Sequence, residues 1–213
     1  MVPTVDLLVP VKPLHRAKTR LLGAADGGAG DPRAHARLAL ALARDTLAVA
    51  AAASCVRHLV AITSDPMVLD ALAGDGVRTV PDSPDAGLNP ALRHGERVLR
   101  GTDPGAAVGV LQADLPALRP DELDAAVRNG LARGGRVFCP DRSGSGTTLL
   151  LATTGHPLEP RFGAGSAAAH RGTGAAELAG NWPGLRCDVD TADDLAVARA
   201  LGLGPATRFA LGS

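Results

Sequence analysis

Apolar residues along this chain follow two alternating patterns. In one they form short continuous runs, the mark of strands buried on both faces of a sheet. In the other they recur at helical spacing between polar positions. Runs at 5–9, 58–63, 77–80, 107–111, 136–138, 147–152 and 185–189 predict strands. Between them, helices are predicted over 33–53, with Leu38, Leu42 and Val49 as core positions, and from a Ser64-Asp65-Pro66 cap to about Ala73. Further helices are predicted over 89–100, with Pro90 in the first turn, over 120–132, within 162–170 and over 191–201. Stretches 10–20, 24–31 and 81–87 read as loops. Strands alternating with helices imply an α/β fold: a mixed, mostly parallel sheet with helices on both faces. No internal repeat or linker divides the chain, so 1–213 is expected to form one domain, with 204–213 as a loose tail.

Composition narrows the partners. Lys+Arg and Asp+Glu both number 22, so no global basic field exists to hold nucleic acid or an anionic membrane. Aromatics are 2% of the residues and Tyr is missing, so Ala, Val and Leu must fill the core. Cys55, Cys139 and Cys187 are scattered and form no CxxC pair, which argues against a disulfide framework or a zinc site and fits a reducing cytoplasm. The first apolar stretch is too short for a signal sequence, and no run approaches the ~18 apolar residues of a membrane span.

The chemistry lies where the predicted strands end. Asp114 follows an apolar strand directly, and ligands of open α/β sheets bind beyond the carboxyl ends of strands. Asp188 and Asp190 flank Val189, so in an extended segment both carboxylates point to one face. Three carboxylates converging on one point need a cation, and oxygen ligands select magnesium, with manganese as the alternative. Each aspartate also has a structural reading: Asp114 as the start of a turn before Pro116, and Asp190 as an N-cap paired with Asp193. After the first strand comes a basic loop with Lys12, Arg16, Lys18 and Arg20, placed to neutralise a triphosphate and its pyrophosphate leaving group, or simply a solvated turn. No GxxxxGK[ST] motif is present, and the Gly-Ser-Gly segment lacks the GxSxG frame. Two Gly/Ser loops, 141–148 and 162–166, can approach an anion with backbone N–H groups and hydroxyls. The histidines show no metal-ligand spacing; His170 lies near the second loop, where a core or surface role is the default.

Taken together, these segments resemble a family. Val9-Pro10-Val11-Lys12-Pro13-Leu14, Ala17-Lys18-Thr19-Arg20-Leu21, Gly87-Leu88-Asn89, Ala113-Asp114-Leu115-Pro116, Asp141-Arg142, Gly146-Thr147-Thr148, Phe162-Gly163-Ala164-Gly165-Ser166 with His170, and Asp188-Val189-Asp190-Thr191 run in order over nearly the whole chain. They resemble the 2-phospho-L-lactate or phosphoenolpyruvate guanylyltransferases of coenzyme F-420 biosynthesis. The resemblance implies a single Rossmann-like nucleotidyltransferase domain of the molybdenum-cofactor-guanylyltransferase group. It implies transfer of GMP from GTP to a small phosphorylated carboxylic acid, with Lys12, Lys18 and Arg20 on the triphosphate and Asp114, Asp188 and Asp190 on Mg²⁺ or Mn²⁺. It places Thr148, Gly163 and Ser166 at the acceptor, and Gly87 and Asn89 at the base or ribose. Thr148 stands where some members carry Asn, which leaves the acceptor open among phosphoenolpyruvate, 2-phospho-L-lactate and 3-phosphoglycerate. The Ala-, Gly- and Arg-rich composition of high-GC coding favours phosphoenolpyruvate, the acceptor expected of actinobacterial members. A molybdopterin-type nucleotidyltransferase and a non-catalytic nucleotide-binding module are the alternatives, and a homo-oligomer is compatible with either.

Overall fold

The computed structural model describes residues 4–14, 18–83 and 86–212. The middle of the basic loop, His15, Arg16 and Ala17, lies outside the described residues. The strands are β1 (Val5–Pro10), β2 (Val56–Ile62), β3 (Arg78–Val80), β4 (Val108–Leu111), β5 (Arg136–Pro140), β6 (Thr147–Ala152) and β7 (Ala176–Glu177). They form one sheet in the order β3-β2-β1-β4-β6-β5-β7. β3, β2, β1 and β4 are parallel neighbours, β6 runs antiparallel between β4 and β5, and β7 pairs parallel with β5.

Alternation along each strand sends side chains to opposite faces. Leu7, Val9, Ala61, Leu149 and Leu151 join one core layer with Leu47 of α1 (Pro32–Ala52), Val68 and Leu72 of α2 (Pro66–Gly74) and Leu123 and Val127 of α4 (Pro120–Arg133). Leu8, Val60, Ile62, Val110, Phe138 and Leu150 face the other way. They pack on Leu92 and Leu99 of α3 (Leu88–Thr102) and Ala167 of α5 (Ser166–Gly172). Helices thus cover both faces, as the apolar pattern implies. No described helix is long and apolar enough to cross a membrane. Proline at the first turn and a side-chain cap start α1 and α2: the Asp31 carboxylate accepts from Arg33 and Ala34 N–H, and Asp65 from Met67 and Val68 N–H.

Two regions differ from the sequence expectation. The stretch 185–189 is not a strand: α6 (Pro183–Arg186) ends there in a short helical turn, followed by irregular chain. The turn is fixed because Gly184 N–H donates to Glu122 Oε1 at 3.0 Å while its Cα presses on Ala117, where a Cβ would lie 2.3 Å from the carbonyl oxygen. In-and-out alternation nonetheless survives, with Cys187 and Val189 buried and Asp190 exposed. The edge strand β7, two residues long, is too short to leave a sequence pattern.

The supposed tail is the second difference. After α7 (Ala192–Leu201), whose N-cap is Thr191 boxed with Asp194 rather than Asp190 with Asp193, the chain enters α8 (Pro205–Ala210) against α1. The buried Asp45 carboxylate of α1 accepts from Ala206 N–H at 2.9 Å and Thr207 N–H at 2.8 Å, capping α8 from another helix. A Cβ on Gly204 would sit 2.3 Å from the Asp45 carboxyl carbon, so only glycine allows this approach.

Candidate active site

The parallel half of the sheet makes a switch point. From β1 the chain crosses through α1 to β2 on one side, and β4 lies on the other, so a crevice opens beyond the carboxyl ends of β1 and β4. Pro10, Val11, Lys12, Leu14 and Lys18 enter it from β1, and Gln112, Ala113 and Asp114 from β4. Ala39, Leu42 and Ala43 of α1 form its floor. The Val11 N–H donates to Ile62 O at 2.9 Å and the Leu14 N–H to Asp65 Oδ2 at 2.9 Å, so the α2 cap also holds the start of the basic loop.

Lys18 is the centre of this crevice. Its ammonium donates to Asp114 Oδ2 and Asp190 Oδ1, joining positions 96 and 172 residues away in the chain. Its backbone is left-handed (φ 54°), a conformation that disfavours any side chain with a Cβ. Burial works against the charge, but Asp114 and then Asp190 outweigh it and hold the ammonium above the usual lysine range. Lys12 and Arg20 are exposed on the same loop, and Arg20 sits in a 3-10 turn, Thr19–Leu21.

Asp188 stands among like charges. Burial pushes its carboxyl up to about 7, and the charges of Asp114, Asp141 and Asp190 add to this, while Lys18 opposes it. Asp114 Oδ1 is buried and takes no hydrogen bond from the described residues. A buried orphan carboxylate oxygen beside an anion-destabilised carboxyl is the donor set a hard divalent ion satisfies. Among the described residues no three such side chains are gathered as a ready ligand set. Lys18 occupies the space between Asp114 and Asp190, and the Asp190 carboxylate is more than half exposed.

One supporting residue escaped the sequence reading. The fully buried Thr46 hydroxyl of α1 accepts from Leu115 N–H at 2.9 Å and lies within donating distance of Leu42 O at 3.0 Å and Ala113 O at 3.2 Å. It brackets the peptide units on both sides of Asp114. A hydroxyl residue among the buried positions of α1 was the available signal. Thr46→Val keeps the shape but leaves the Leu115 N–H unpaired, so stability should fall by about 1–3 kcal/mol. Urea unfolding would show this, and a variant as stable as the parent would mean that Thr46 does not hold the Asp114 turn. Asp114 is also joined to the Asp188–Asp190 segment, through Val189 N–H on Asp114 O at 3.0 Å.

The remaining candidates lie around α5. Asp141 organises its own turn: its carboxylate accepts from Ser145 N–H at 2.9 Å and from the Ser143 hydroxyl at 3.0 Å. Ala167 N–H then donates to Ser145 O, tying that turn to α5. Thr148 is fully buried in β6, its hydroxyl directed at Cys139 O at 3.4 Å, while Thr147 beside it meets His170 Nδ1 at 2.9 Å. Gly163 is exposed in an open left-handed conformation (φ 136°), and buried Ser166 begins α5. Gly87 precedes α3 with φ 97°. Asn89, expected at the base or ribose, pairs within the protein with Phe162. Its amide grips the Phe162 backbone at both ends, with Nδ2 donating to Phe162 O at 3.0 Å and Oδ1 accepting from Phe162 N–H at 2.8 Å. His170 is buried, and that burial with the charges of Arg136 and Arg161 pushes its imidazole down to about 4, so it is neutral at physiological pH.

Comparison with known proteins gives the family and the fold. Residues 32–179 match the family model of the MobA-like NTP transferase domain. The phosphoenolpyruvate guanylyltransferase of Geodermatophilus obscurus is 50% identical over 207 residues, covering 97% of this chain and 94% of that protein. The enzyme of the same name from Salinispora arenicola is 49% identical over 210 residues, covering 97% and 93%. Among solved structures, a putative nucleotide-diphospho-sugar transferase from Desulfovibrio desulfuricans G20 superposes with a TM-score of 0.65 at 16% identity, covering 99% of this chain and 93% of that one. A 4-diphosphocytidyl-2C-methyl-D-erythritol synthase gives 0.63 at 15% identity, covering 93% and 99%. At these identities the two structures speak for the fold alone.

Proposed function

The chain belongs to the MobA-like NTP transferase family and is a nucleotidyltransferase, and from this premise we propose that it transfers GMP from GTP to phosphoenolpyruvate. The products are enolpyruvyl-diphospho-guanosine and pyrophosphate, and the reaction serves coenzyme F-420 biosynthesis in the cytoplasm. The observation that carries the reading is the Lys18–Asp114–Asp190 cluster at the sheet's switch point. The names of relatives about half identical over nearly their full length supply the substrates.

A phosphate oxygen of the acceptor attacks the α-phosphorus of GTP in line. The new P–O bond forms as the bond to the β-phosphate oxygen breaks, and pyrophosphate leaves with that electron pair. No protein nucleophile or base is required, because the acceptor phosphate is already ionised at neutral pH. Catalysis then consists of positioning and charge neutralisation. Lys12, Lys18 and Arg20 neutralise the triphosphate and the departing pyrophosphate. Asp114 and Asp188, with Asp190 at the rim, would hold Mg²⁺ or Mn²⁺. When bound, that ion supplies positive charge at the reacting phosphates. Gly163 and Ser166 hold the acceptor, while Thr148 is buried within β6 with its hydroxyl turned to Cys139 O, and Gly87 lies on the nucleotide side.

The test is pyrophosphate release with Mg²⁺ and GTP, offering phosphoenolpyruvate, 2-phospho-L-lactate and 3-phosphoglycerate separately. Turnover with phosphoenolpyruvate alone is the expected result. Preference for another acid would keep the transferase and change its acceptor, and release with none of the three in the presence of bound GTP would refute the proposal.

A further inference from the structure

Asn89 and the 162–166 loop lie 73 residues apart in the chain, yet the fold makes them one unit. A carboxamide can donate twice and accept twice. Here one donor and one acceptor pair with both main-chain polar groups of Phe162, at 3.0 and 2.8 Å, much as a neighbouring strand would. No regular element supplies those bonds, because residues 153–165 lie outside helix and strand. One residue earlier, Arg161 N–H donates to His170 Nε2 at 2.9 Å. That bond puts the imidazole proton on Nδ1, which donates to the Thr147 hydroxyl oxygen. The Phe162 ring is buried edge-on against the His170 ring, with centroids 5.0 Å apart.

Three main-chain groups of two adjacent residues are therefore fixed, Arg161 N–H, Phe162 N–H and Phe162 C=O. The very next residue is Gly163, at φ 136° with open space around its missing Cβ. Glycine has little conformational preference of its own, so the path of this turn is decided by what holds the residue before it. From Gly163 the turn closes through Ser166 N–H on Gly163 O at 3.1 Å.

We propose that Asn89 is a positioning residue for the acceptor: by clamping the Phe162 backbone it sets the course of the loop that carries Gly163 and Ser166, and it does not contact the nucleotide. His170 is the second point of the same clamp. The proposal rests on the reading that this loop holds the acceptor.

Asn89→Ala removes both bonds at a helical position that tolerates alanine. Steady-state kinetics with Mg²⁺, varying GTP and phosphoenolpyruvate in turn, should show KM for the acceptor rising about tenfold or more, as two hydrogen bonds warrant. KM for GTP should stay within about twofold. In the unliganded protein, amide exchange over 161–166 should quicken while α3 keeps its protection. Asn89→Asp retains the acceptor for Phe162 N–H but sets a carboxylate against Phe162 O, so it should move both readouts in the same direction. A rise in GTP KM with acceptor KM unchanged would return Asn89 to the nucleotide site. Unchanged exchange over 161–166 in Asn89→Ala would overturn the clamp. If the parent protein turned over none of the acids, the functional reading would fail by itself, and the exchange measurement would still decide on the clamp.

Discussion

Asp188→Asn should lower the rate of pyrophosphate release by about a thousandfold or more without lowering the melting temperature. The two halves of this expectation have one origin. Asp188 is a partly buried carboxyl near three other carboxylates, and both burial and those charges disfavour its anion. A neutral amide of the same shape relieves that repulsion, so the variant should be as stable as the parent or more so. On the proposed metal role, the charge that costs stability is the charge the reaction needs, because a carboxylate is the stronger ligand for a hard divalent ion. Titrating Mg²⁺ into the variant should restore part of the activity. Near-normal turnover at ordinary Mg²⁺ would remove Asp188 from the metal site.

Lys18→Met should also slow turnover, by about 100- to 1000-fold, with the opposite effect on stability. Its ammonium is mostly buried and answers Asp114, which is similarly enclosed, and Asp190, which solvent partly screens. Removing it leaves the Asp114 charge uncompensated, at a cost of about 1–3 kcal/mol after allowance for that screening. Lys18→Arg should not rescue activity, because the planar guanidinium cannot reproduce a compact charge between two carboxylates. Chemical denaturation beside kinetics separates the cases: Asp188→Asn inactive and stable, Lys18→Met inactive and weakened. If Lys18→Met kept full activity, the loop cation would be a structural counter-ion only. The left-handed backbone of Lys18 supports the functional alternative, since glycine or asparagine would sit there at lower cost.

Much of the fold was legible because burial imposes periodicity. Strands β1 and β6 are buried at every position since both faces of the sheet are covered, and the start of α2 was marked by its Asp65-Pro66 pair. The segment 185–189 misled because its alternating burial is what a strand would show. Its path is set instead by the contacts of Gly184 with Glu122 and Ala117, which no local pattern records. The tail looked loose because Gly204 and Pro205 are common in unstructured ends, whereas here they admit Asp45 and begin a helix. Within the site, Lys18, Asp114 and Asp190 were legible as charges near strand ends. Their direct pairing was not, and neither were Thr46 and the pairing of Asn89 with Phe162, because each depends on a contact across tens of residues.

The clasp between Asp45 and α8 bears on how the chain reaches this state. It joins positions 161 and 162 residues apart, so α1 is synthesised long before its partner exists. Until then a carboxylate destined for burial faces no donor, which opposes close packing of that side of α1. Long-range closure of this kind is slow, because loop entropy is lost before contacts reward it. Domains that emerge gradually during synthesis hold their late contacts open until the last segment arrives. The floor of the crevice, formed by Ala39, Leu42 and Ala43 of the same helix, therefore gains its final support only when α8 docks. Assembly of this crevice is a late event in the life of the nascent chain.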